Sequence, residues 1–415
     1  MKTNRFLLNA ARAAILVLLA TALVAPGVSA QELDLPYEVT DRVAPESDAT
    51  GSKIGGFTAY PKLNVSAGYD DNILAQEGNL AKDDGRFKVE PSLAYESDWS
   101  RNKLSIGGFV GGDLYADYTS QDSLNWGVGG AGQLDVLESS NVQGSVGYQQ
   151  LTEARGGIVS TTTPDPVLYD LLQAGLVGNH RLDQLNLAVS AQFDQYDYDE
   201  ASQKYRNRDI WQATAQAGFE FSPGYSGFVR GVFNNRSFEN PSITVGNPSQ
   251  DSDGYNVAVG VASKITNLVS GEAYIGYLDQ DYDSAVFKDV SGVSFGVDLK
   301  WEATKLTTVT VTASREVADS TTPGAGGILY SIGGFGVSHE LTPDVSLKGD
   351  FEYYDANYEG IARDDDGYRA SAGVDYKLSR TVHLDLVYNF DDRDSNVAGQ
   401  SYTRNQVTLG VLLQY

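Results

Sequence analysis

Apolar and polar residues alternate with a period of two along most of this sequence. Near the C-terminus the alternate positions carry apolar side chains, namely Val407, Leu409, Val411, Leu413 and Tyr415. The positions between them are mostly polar, with Leu412 as an exception. Because successive side chains of a β-strand point to opposite faces, this period indicates strands with one apolar face and one polar face.

Two kinds of connection separate these strands, eight of them short and nine longer and rich in Asp, Gly, Ser, Thr and Pro. The short ones are 98–102, 138–141, 182–184, 222–224, 266–267, 303–305, 342–344 and 379–381. The longer ones cover roughly 70–85, 117–122, 152–166, 197–208, 237–253, 283–289, 318–328, 359–366 and 393–402. Eight plus nine connections predict 18 strands, to within two.

The N-terminus predicts a secretory signal peptide over residues 1–30. Basic residues precede an apolar run over 13–24, and Val28-Ser29-Ala30 supplies small residues for cleavage after Ala30. Residues 31–56, with their prolines and acids, predict a flexible periplasmic segment, which leaves 57–415 for the strands. The chain has no cysteine, which excludes a lipid-anchored cysteine and disulfides.

Together these features predict an all-β fold: a transmembrane antiparallel β-barrel in the bacterial outer membrane, with short periplasmic turns and longer extracellular loops. Lipid cannot hydrogen-bond a free strand edge, so a membrane sheet must close on itself. A soluble sandwich, β-helix or propeller would require an apolar interior, whereas the second face here is charged and polar. An even strand number returns both termini to the periplasm.

Tyrosines cluster at strand ends, as in the aromatic girdles that lie at the two membrane interfaces. They are Tyr69, Tyr95, Tyr115, Tyr118, Tyr148, Tyr196, Tyr255, Tyr277, Tyr282, Tyr330, Tyr358, Tyr368 and Tyr388. Ordinary enrichment of tyrosine in sheets accounts for some of them. The alternating apolar strand that ends at Tyr415 resembles the C-terminal signal that the barrel-insertion machinery recognises. The expected partners are therefore this machinery, outer-membrane lipid and lipopolysaccharide.

The net charge, the positions of the histidines and the context of one glycine motif argue against nucleic-acid binding, catalysis and cofactor binding in turn. With 55 acidic and 30 basic residues the formal net charge is −25, which disfavours nucleic acid as a partner. The three histidines, His180, His339 and His383, fall at the predicted periplasmic rim without a serine constellation, so no enzyme is expected. A G-x-G-x-x-G match at 127–132 lies inside an alternating strand rather than at a strand–helix turn, so no cofactor is expected.

The polar face supplies the candidates for a pore lining. They are Glu90, Asp113, Asp135, Asp194, Arg230, Glu272, Asp298, Lys300, Asp350, Arg369, Asp375 and Asp385. Ion pairing across the wall is one interpretation of these charges. An electrostatic filter is the other, and the excess of acids then predicts a preference for cations.

Carboxylates cluster in the predicted outer loops but lack the full spacing of a calcium-binding loop. No metal site is therefore predicted, and Asp70, Asp71, Asp364, Asp365 and Asp366 are only weak candidates for screening by Ca²⁺ or Mg²⁺.

Two regions resemble one family of outer-membrane barrels. They are Gly68-Tyr69-Asp70-Asp71-Asn72-Ile73 at the end of the first strand and the last two strands, 386–396 and 401–415. In these segments the chain resembles the family called putative β-barrel porin 2. The resemblance implies a large barrel often associated with exopolysaccharide or capsule production, with a periplasmic polysaccharide-export protein as a partner, and it implies no catalytic residues.

The leading hypothesis is therefore a porin that takes part in exopolysaccharide or capsule export. The alternatives are a general diffusion porin for small hydrophilic solutes and a non-conducting structural or adhesive barrel. No long loop shows an obvious sign of folding inward as a constriction, although 152–166 and 237–253 are long enough. The outward faces lack a clear polar patch for a trimer, which favours a monomer.

Overall fold

The computed structural model describes residues 49–161, 163–239, 249–266 and 268–415. The predicted signal peptide 1–30, its cleavage after Ala30 and residues 31–48 of the predicted periplasmic segment lie outside the described residues.

Nineteen antiparallel strands make up the described fold. They are β1 Ser52–Ile54, β2 Phe57–Asp70, β3 Asp84–Ser97, β4 Lys103–Tyr115, β5 Ser123–Leu137, β6 Ser140–Thr152, β7 Leu168–Leu182, β8 Leu185–Tyr198, β9 Arg208–Ser222, β10 Tyr225–Phe238, β11 Ser252–Thr266, β12 Val269–Tyr282, β13 Val290–Thr304, β14 Thr307–Asp319, β15 Gly327–Thr342, β16 Val345–Tyr358, β17 Arg363–Ser379, β18 Val382–Ser395 and β19 Tyr402–Gln414.

Strands β2 to β19 form a closed 18-stranded barrel, as the sequence predicts. Each strand pairs with the next along the chain, and β19 pairs with β2 to close the ring. The closing register runs from Gln406 opposite Asp70 to Gln414 opposite Lys62. The short strand β1 adds to the lower part of β2, beyond the point where β19 ends. Closure pairs the strand edges that lipid could not satisfy.

The connections alternate between short turns and longer loops, which assigns the short turns to the periplasmic end and the loops to the outer end. The ladders extend further toward the outer end than the sequence indicates. Asp364, Asp365 and Asp366, expected in a loop, belong to β17, because their backbones pair with residues 355–357 of β16. Asp70 likewise is the last residue of β2.

The outward face of the barrel is apolar and exposed. Val407, Leu409 and Leu413 of β19 are each more than two fifths exposed, as expected for side chains that face lipid. Exposed aromatic residues form one girdle near the outer end, at Tyr69, Tyr255, Tyr277, Tyr353, Tyr368 and Tyr388. They form a second near the short turns, at Phe221, Tyr225, Trp301, Tyr376 and Tyr415.

Some of the tyrosines proposed for the girdles lie on the inner face instead, and three of these are almost fully buried. Tyr282, Tyr330 and Tyr358 are at least nine tenths buried, with their rings on the inner face near the outer mouth. Sequence position alone places a residue near a strand end. One step of the two-residue alternation then decides whether its side chain faces lipid or the interior.

The helices among the described residues are three short 3₁₀ turns, at Gly78–Leu80, Thr119–Gln121 and Ala201–Arg206. Within the described part of the chain, no helix has the length and apolar character needed to cross a membrane. Residues 127–132 lie in the middle of β5, so the G-x-G-x-x-G match is strand and not a phosphate-binding turn.

Candidate pore and inward-folded loop

The barrel register places all twelve predicted pore-lining residues on the inner face. Residues directly opposite one another on neighbouring strands share a face, and the pairs link these residues through a continuous set of rows. One row runs from Glu272 through Asp298 to Glu352, and on through Arg369 to Asp391. The inner face is therefore polar and charged around the ring, while the outer face is apolar.

Several of these charges are neutralised by close partners. Arg230 lies 2.6 Å from Glu272, and Asp113 lies 2.6 Å from Arg86. Arg369 lies between two carboxylates, 3.9 Å from Glu352 and 3.8 Å from Asp391. Ion pairing thus accounts for part of the charge on the wall.

Other members of the set pair with a neighbour on their own strand or with neutral groups. Glu90 lies 2.7 Å from Lys88, and Lys300 lies 3.7 Å from Glu302. Asp194 accepts a hydrogen bond from the Gln173 amide at 3.0 Å. The remaining contacts are Gln133 to Asp135, Ser371 to Asp350, and the backbone pairs Glu272–Asp298 and Asp375–Asp385.

The two facing carboxylates Asp375 and Asp385 stand out in this set. They are direct cross-strand neighbours on β17 and β18, and both point inward. Among the described residues, neither is part of an ion pair within 4.0 Å. They are a concentrated negative charge on the wall, and they support the predicted cation preference.

The loop between β6 and β7, described at residues 153–161 and 163–167, folds into the lumen. The Tyr358 hydroxyl donates to the Ile158 carbonyl oxygen at 3.0 Å, and Tyr358 is on β16, nine strands from β7 in a ring of eighteen. The Tyr402 hydroxyl lies 3.0 Å from the Gly156 carbonyl oxygen. The loop therefore reaches the opposite wall, and we call it the crossing loop.

Apolar packing holds the tip of the crossing loop. Ile158 and Val159 pack against a buried cluster at the outer ends of β15 and β16, which contains Tyr330, Tyr354 and Tyr358. Tyr354 is fully buried in that cluster. Ile158 and Val159 are partly buried there, so each stabilises the inward position by less than the about 1.5–3 kcal/mol of a fully buried aliphatic side chain.

Polar contacts hold the base of the crossing loop. Arg206 lies 2.7 Å from the Glu153 carboxylate and donates to the Val159 carbonyl oxygen at 3.1 Å. Arg155 donates to Gln121 at 2.9 Å and to the Thr163 carbonyl oxygen at 2.6 Å. Burial lowers the pKa of the Arg155 guanidinium, with Glu153 opposing the shift, but an arginine remains charged at physiological pH.

The crossing loop corrects the expectation that no long loop marks itself as a constriction. Its inward position depends on residues far away in sequence, on β16 and β19, so the loop alone does not display it. One local signal exists: Ile158 and Val159 are consecutive aliphatic residues between Gly156-Gly157 and a Ser/Thr run. A loop exposed to water would gain no stability from two adjacent aliphatic side chains.

A second set of contacts narrows the outer mouth. Asp319 at the end of β14 lies 2.6 Å from both Arg208 of β9 and Arg236 of β10. These contacts bridge four or five strands across the inside of the ring. Gln250 donates to the carbonyl oxygens of Ser320 and Ala325, each at 3.0 Å.

Three of the five weak candidates for cation screening are engaged in protein contacts. Asp70 pairs with Arg404, and Asp365 pairs with Arg363 at 2.6 Å. Asp71 accepts hydrogen bonds from the Asn405 backbone and side chain, each at 2.7 Å. Across the described ranges, no group of three or more His, Asp or Glu side chains is arranged to hold a metal ion.

The three histidines lie near the short-turn end, as predicted. His180 Nδ1 is 2.6 Å from the Ser140 hydroxyl, and His339 Nδ1 is 2.9 Å from the Thr307 hydroxyl. In the part of the chain that the structure describes, none of the three has a hydrogen bond to a carboxylate. A charge-stabilised base beside a nucleophile is therefore not assembled here.

One cavity on the inner wall has no carboxylate in its described lining. Strands β4 to β12 surround a cavity of about 400 Å³, and no Asp or Glu is among the described residues that line it. Its polar lining is mostly amide and hydroxyl, at Gln133, Gln143, Gln192, Gln212, Thr214 and Asn256. We call these six residues the amide patch.

A closed antiparallel barrel with a polar inner face, an apolar outer face and two aromatic girdles defines an outer-membrane β-barrel protein. The sequence comparison goes further, since the family model described as putative beta-barrel porin 2 matches residues 44–415. The chain belongs to that family, as the resemblance at its two ends suggests. No curated protein matches the sequence.

Solved barrels share the general shape at low sequence identity. OpdL of Pseudomonas aeruginosa is 11% identical with a TM-score of 0.46, over 87% of this chain and 99% of that one. OccAB4 of Acinetobacter baumannii is 11% identical with a TM-score of 0.45, over 89% and 100%. The siderophore receptor PirA of Pseudomonas aeruginosa is 8% identical with a TM-score of 0.45, over 86% and 80%. None of these likenesses carries an inference about substrate.

Proposed function

We propose that this porin-family barrel forms an aqueous passage across the outer membrane that takes part in the export of exopolysaccharide or capsule. The observation that carries the proposal is the closed ring of 18 strands with a polar inner face. Barrels with 16 to 18 strands enclose a water-filled channel. The export role comes from the association of the resembling family with surface polysaccharide.

A clean deletion of the gene tests the export role. The expected result is loss of surface polysaccharide in the deletion strain and its return on complementation with the wild-type gene. The control is the amount of an unrelated outer-membrane protein, which reports any general envelope defect. Unchanged surface polysaccharide, in a parent strain that expresses the barrel normally, would refute the proposal.

The crossing loop favours a second candidate, a diffusion porin for small hydrophilic solutes. A segment that spans the lumen from β6–β7 to Tyr358 narrows the passage, which favours small solutes over a polymer. Swelling of proteoliposomes in sugars of rising size tests this function. Rates that match those of protein-free liposomes for every sugar would reject it.

Planar-bilayer conductance of the refolded protein separates both candidates from a structural barrel. A steady conductance that prefers cations is expected for an open passage. Silence from a correctly folded barrel favours a lumen closed by the crossing loop, which waits for a periplasmic partner, or a non-conducting structural or adhesive role.

A further inference from the structure

The amide patch is unusual in a strongly acidic protein. The chain carries 55 acidic residues, yet none of those described lines this cavity. Two cations border it, Lys103 and Arg230, and the Arg230 charge is neutralised by Glu272 at 2.6 Å. The cavity therefore presents hydrogen-bonding groups with little net charge.

The chemistry of the patch matches hydroxyl groups. A carboxamide carries both donors and acceptors, as a sugar hydroxyl does, so each amide can exchange two hydrogen bonds with neighbouring hydroxyls. Among the described residues, the Gln212 side-chain amide has no hydrogen-bond partner, although it lines the cavity. Gln143 donates to Gln133 over a long distance of 3.4 Å. Gln133 and Gln192 each also donate to a carboxylate, Asp135 at 2.8 Å and Asp194 at 3.0 Å, and keep their amide oxygens as acceptors.

The spacing of the amides suits an extended chain. Gln212 lies directly opposite Gln192 on β8, and Gln143 lies directly opposite Gln133 on β5. Neighbouring strands are about 4.8 Å apart, so each pair presents two amides at a separation comparable to one sugar ring.

The patch is also accessible along the barrel from the short-turn end. A second cavity of about 720 Å³ lies there, lined by Asn141, Asn179 and Gln216 among others. Gln216 is directly opposite Arg230, which lines the first cavity. The two cavities therefore adjoin on the same wall.

The opposite wall disfavours an acidic ligand. Asp350, Asp375 and Asp385 all lie on the inner face of β16 to β18, about half the ring away from β8 and β9. A polyanion that entered the lumen would face these carboxylates in a wall where nine of the twelve predicted lining residues are acidic, and it would be repelled. An uncharged chain meets no such penalty.

We infer that the amide patch binds an uncharged, hydroxyl-rich saccharide chain on its way through the barrel. This inference rests on the proposed export function and narrows its substrate class to neutral glycans. The probes are maltohexaose, a neutral linear oligosaccharide, and the hexamer of galacturonic acid, an acidic one of equal length.

The experiment titrates each probe against the refolded full-length mature barrel by calorimetry, in a detergent without a sugar headgroup. Saturable binding of maltohexaose with weaker binding of the acidic hexamer is expected. Gln212→Leu removes the amide at nearly constant size and should weaken maltohexaose binding about tenfold, the equivalent of one hydrogen bond. Asn389→Leu on β18, nine strands from β9, is the matched control and should bind as the wild type does.

Preferential binding of the acidic hexamer would overturn the inference, as would equal loss in both variants or no saturation by maltohexaose. Gln212→Glu keeps the side-chain size but replaces the amide by a carboxylate, so it separates loss of the amide from loss of side-chain volume. Retention of the heat-resistant folded band on a gel by all three variants shows that each barrel is intact. The deletion strain reports the export function separately, so failure of the saccharide preference and failure of export are distinguishable.

Discussion

The Tyr402 hydroxyl of the last barrel strand lies within hydrogen-bond distance of the Gly156 carbonyl oxygen, at 3.0 Å, although the two residues are 246 positions apart. The same hydroxyl is 2.7 Å from the Asp391 carboxylate. One side chain thus connects the crossing loop to the wall at the seam where the barrel closes. The position of the loop depends on contacts of this kind.

Tyr402→Phe should loosen the crossing loop. The variant keeps the ring but loses the polar contact to Gly156, a loss of about 1 kcal/mol, which corresponds to roughly a fivefold increase in the released fraction. Single-channel recording in a planar bilayer should show longer or larger openings. The control is Tyr388→Phe, which removes the hydroxyl of an outward tyrosine bonded to Asn405. Identical recordings for wild type and Tyr402→Phe would show that the contact between Tyr402 and Gly156 does not hold the crossing loop in place.

Gly156→Ala should displace the crossing loop by steric conflict. Gly156 has φ +81°, and a Cβ there would overlap the Tyr402 hydroxyl, which is itself bonded to the glycine carbonyl. Gly399 also has φ +81° but has open space around its Cβ position, so Gly399→Ala carries the same backbone strain without the clash. We expect a change in conductance for the first variant only. Equal effects of the two would assign the change to backbone strain.

Asp70→Asn should weaken the closing seam of the barrel. The Asp70 side chain is 2% exposed and receives the Arg404 guanidinium, together with the Gln406 amide at 2.8 Å. Loss of one partner from a buried ion pair costs roughly 3–5 kcal/mol. The melting temperature of the folded band in a gel-shift assay should therefore fall.

The contrast for that experiment is an exposed ion pair. Lys53 and Asp98 are 3.5 Å apart, and the lysine side chain is 79% exposed. Lys53→Met should leave the melting temperature almost unchanged, because exposed pairs contribute about 0–1 kcal/mol. A seam variant as stable as Lys53→Met would show that the backbone ladder alone holds the closure.

Joint neutralisation of Asp375 and Asp385 should reduce the cation preference of the passage. Both carboxylates face the lumen as direct cross-strand neighbours. Reversal potentials across a salt gradient should shift toward zero in Asp375→Asn/Asp385→Asn. Asp344→Asn, in an exposed turn, is the control for a change of net charge alone. An unchanged reversal potential would show that the selectivity filter lies elsewhere.

Most of the fold can be predicted from the two-residue alternation of apolar and polar side chains. Alternation predicts the strands, and the contrast between short and long connections predicts their number, because a membrane barrel repeats one local rule. The same alternation puts residues such as Arg230 and Asp385 on the inner face. These predictions need only neighbouring residues in the chain.

The inward position of the crossing loop cannot be predicted from the alternation of neighbouring residues alone. Ile158, in the loop after β6, contacts Tyr358 of β16 only once the strands between them have curved into the ring. Tyr330 and Tyr358 were expected in the membrane girdles, but they support the crossing loop from inside. Which side of the wall such a residue occupies depends on the register at the end of its strand, and composition does not reveal it.

The short strand β1 has a consequence for assembly. It occupies the edge of β2 at Phe57–Ala59, just below Pro61, whose carbonyl oxygen accepts the Tyr415 backbone N–H at 3.2 Å. Because β1 already occupies this part of the β2 edge, β19 can pair with β2 only above it when the barrel closes. The β1–β2 hairpin thus limits the register at which β19 can pair with β2, and this closing register contributes to the shear of the barrel, to which strand tilt and diameter are linked.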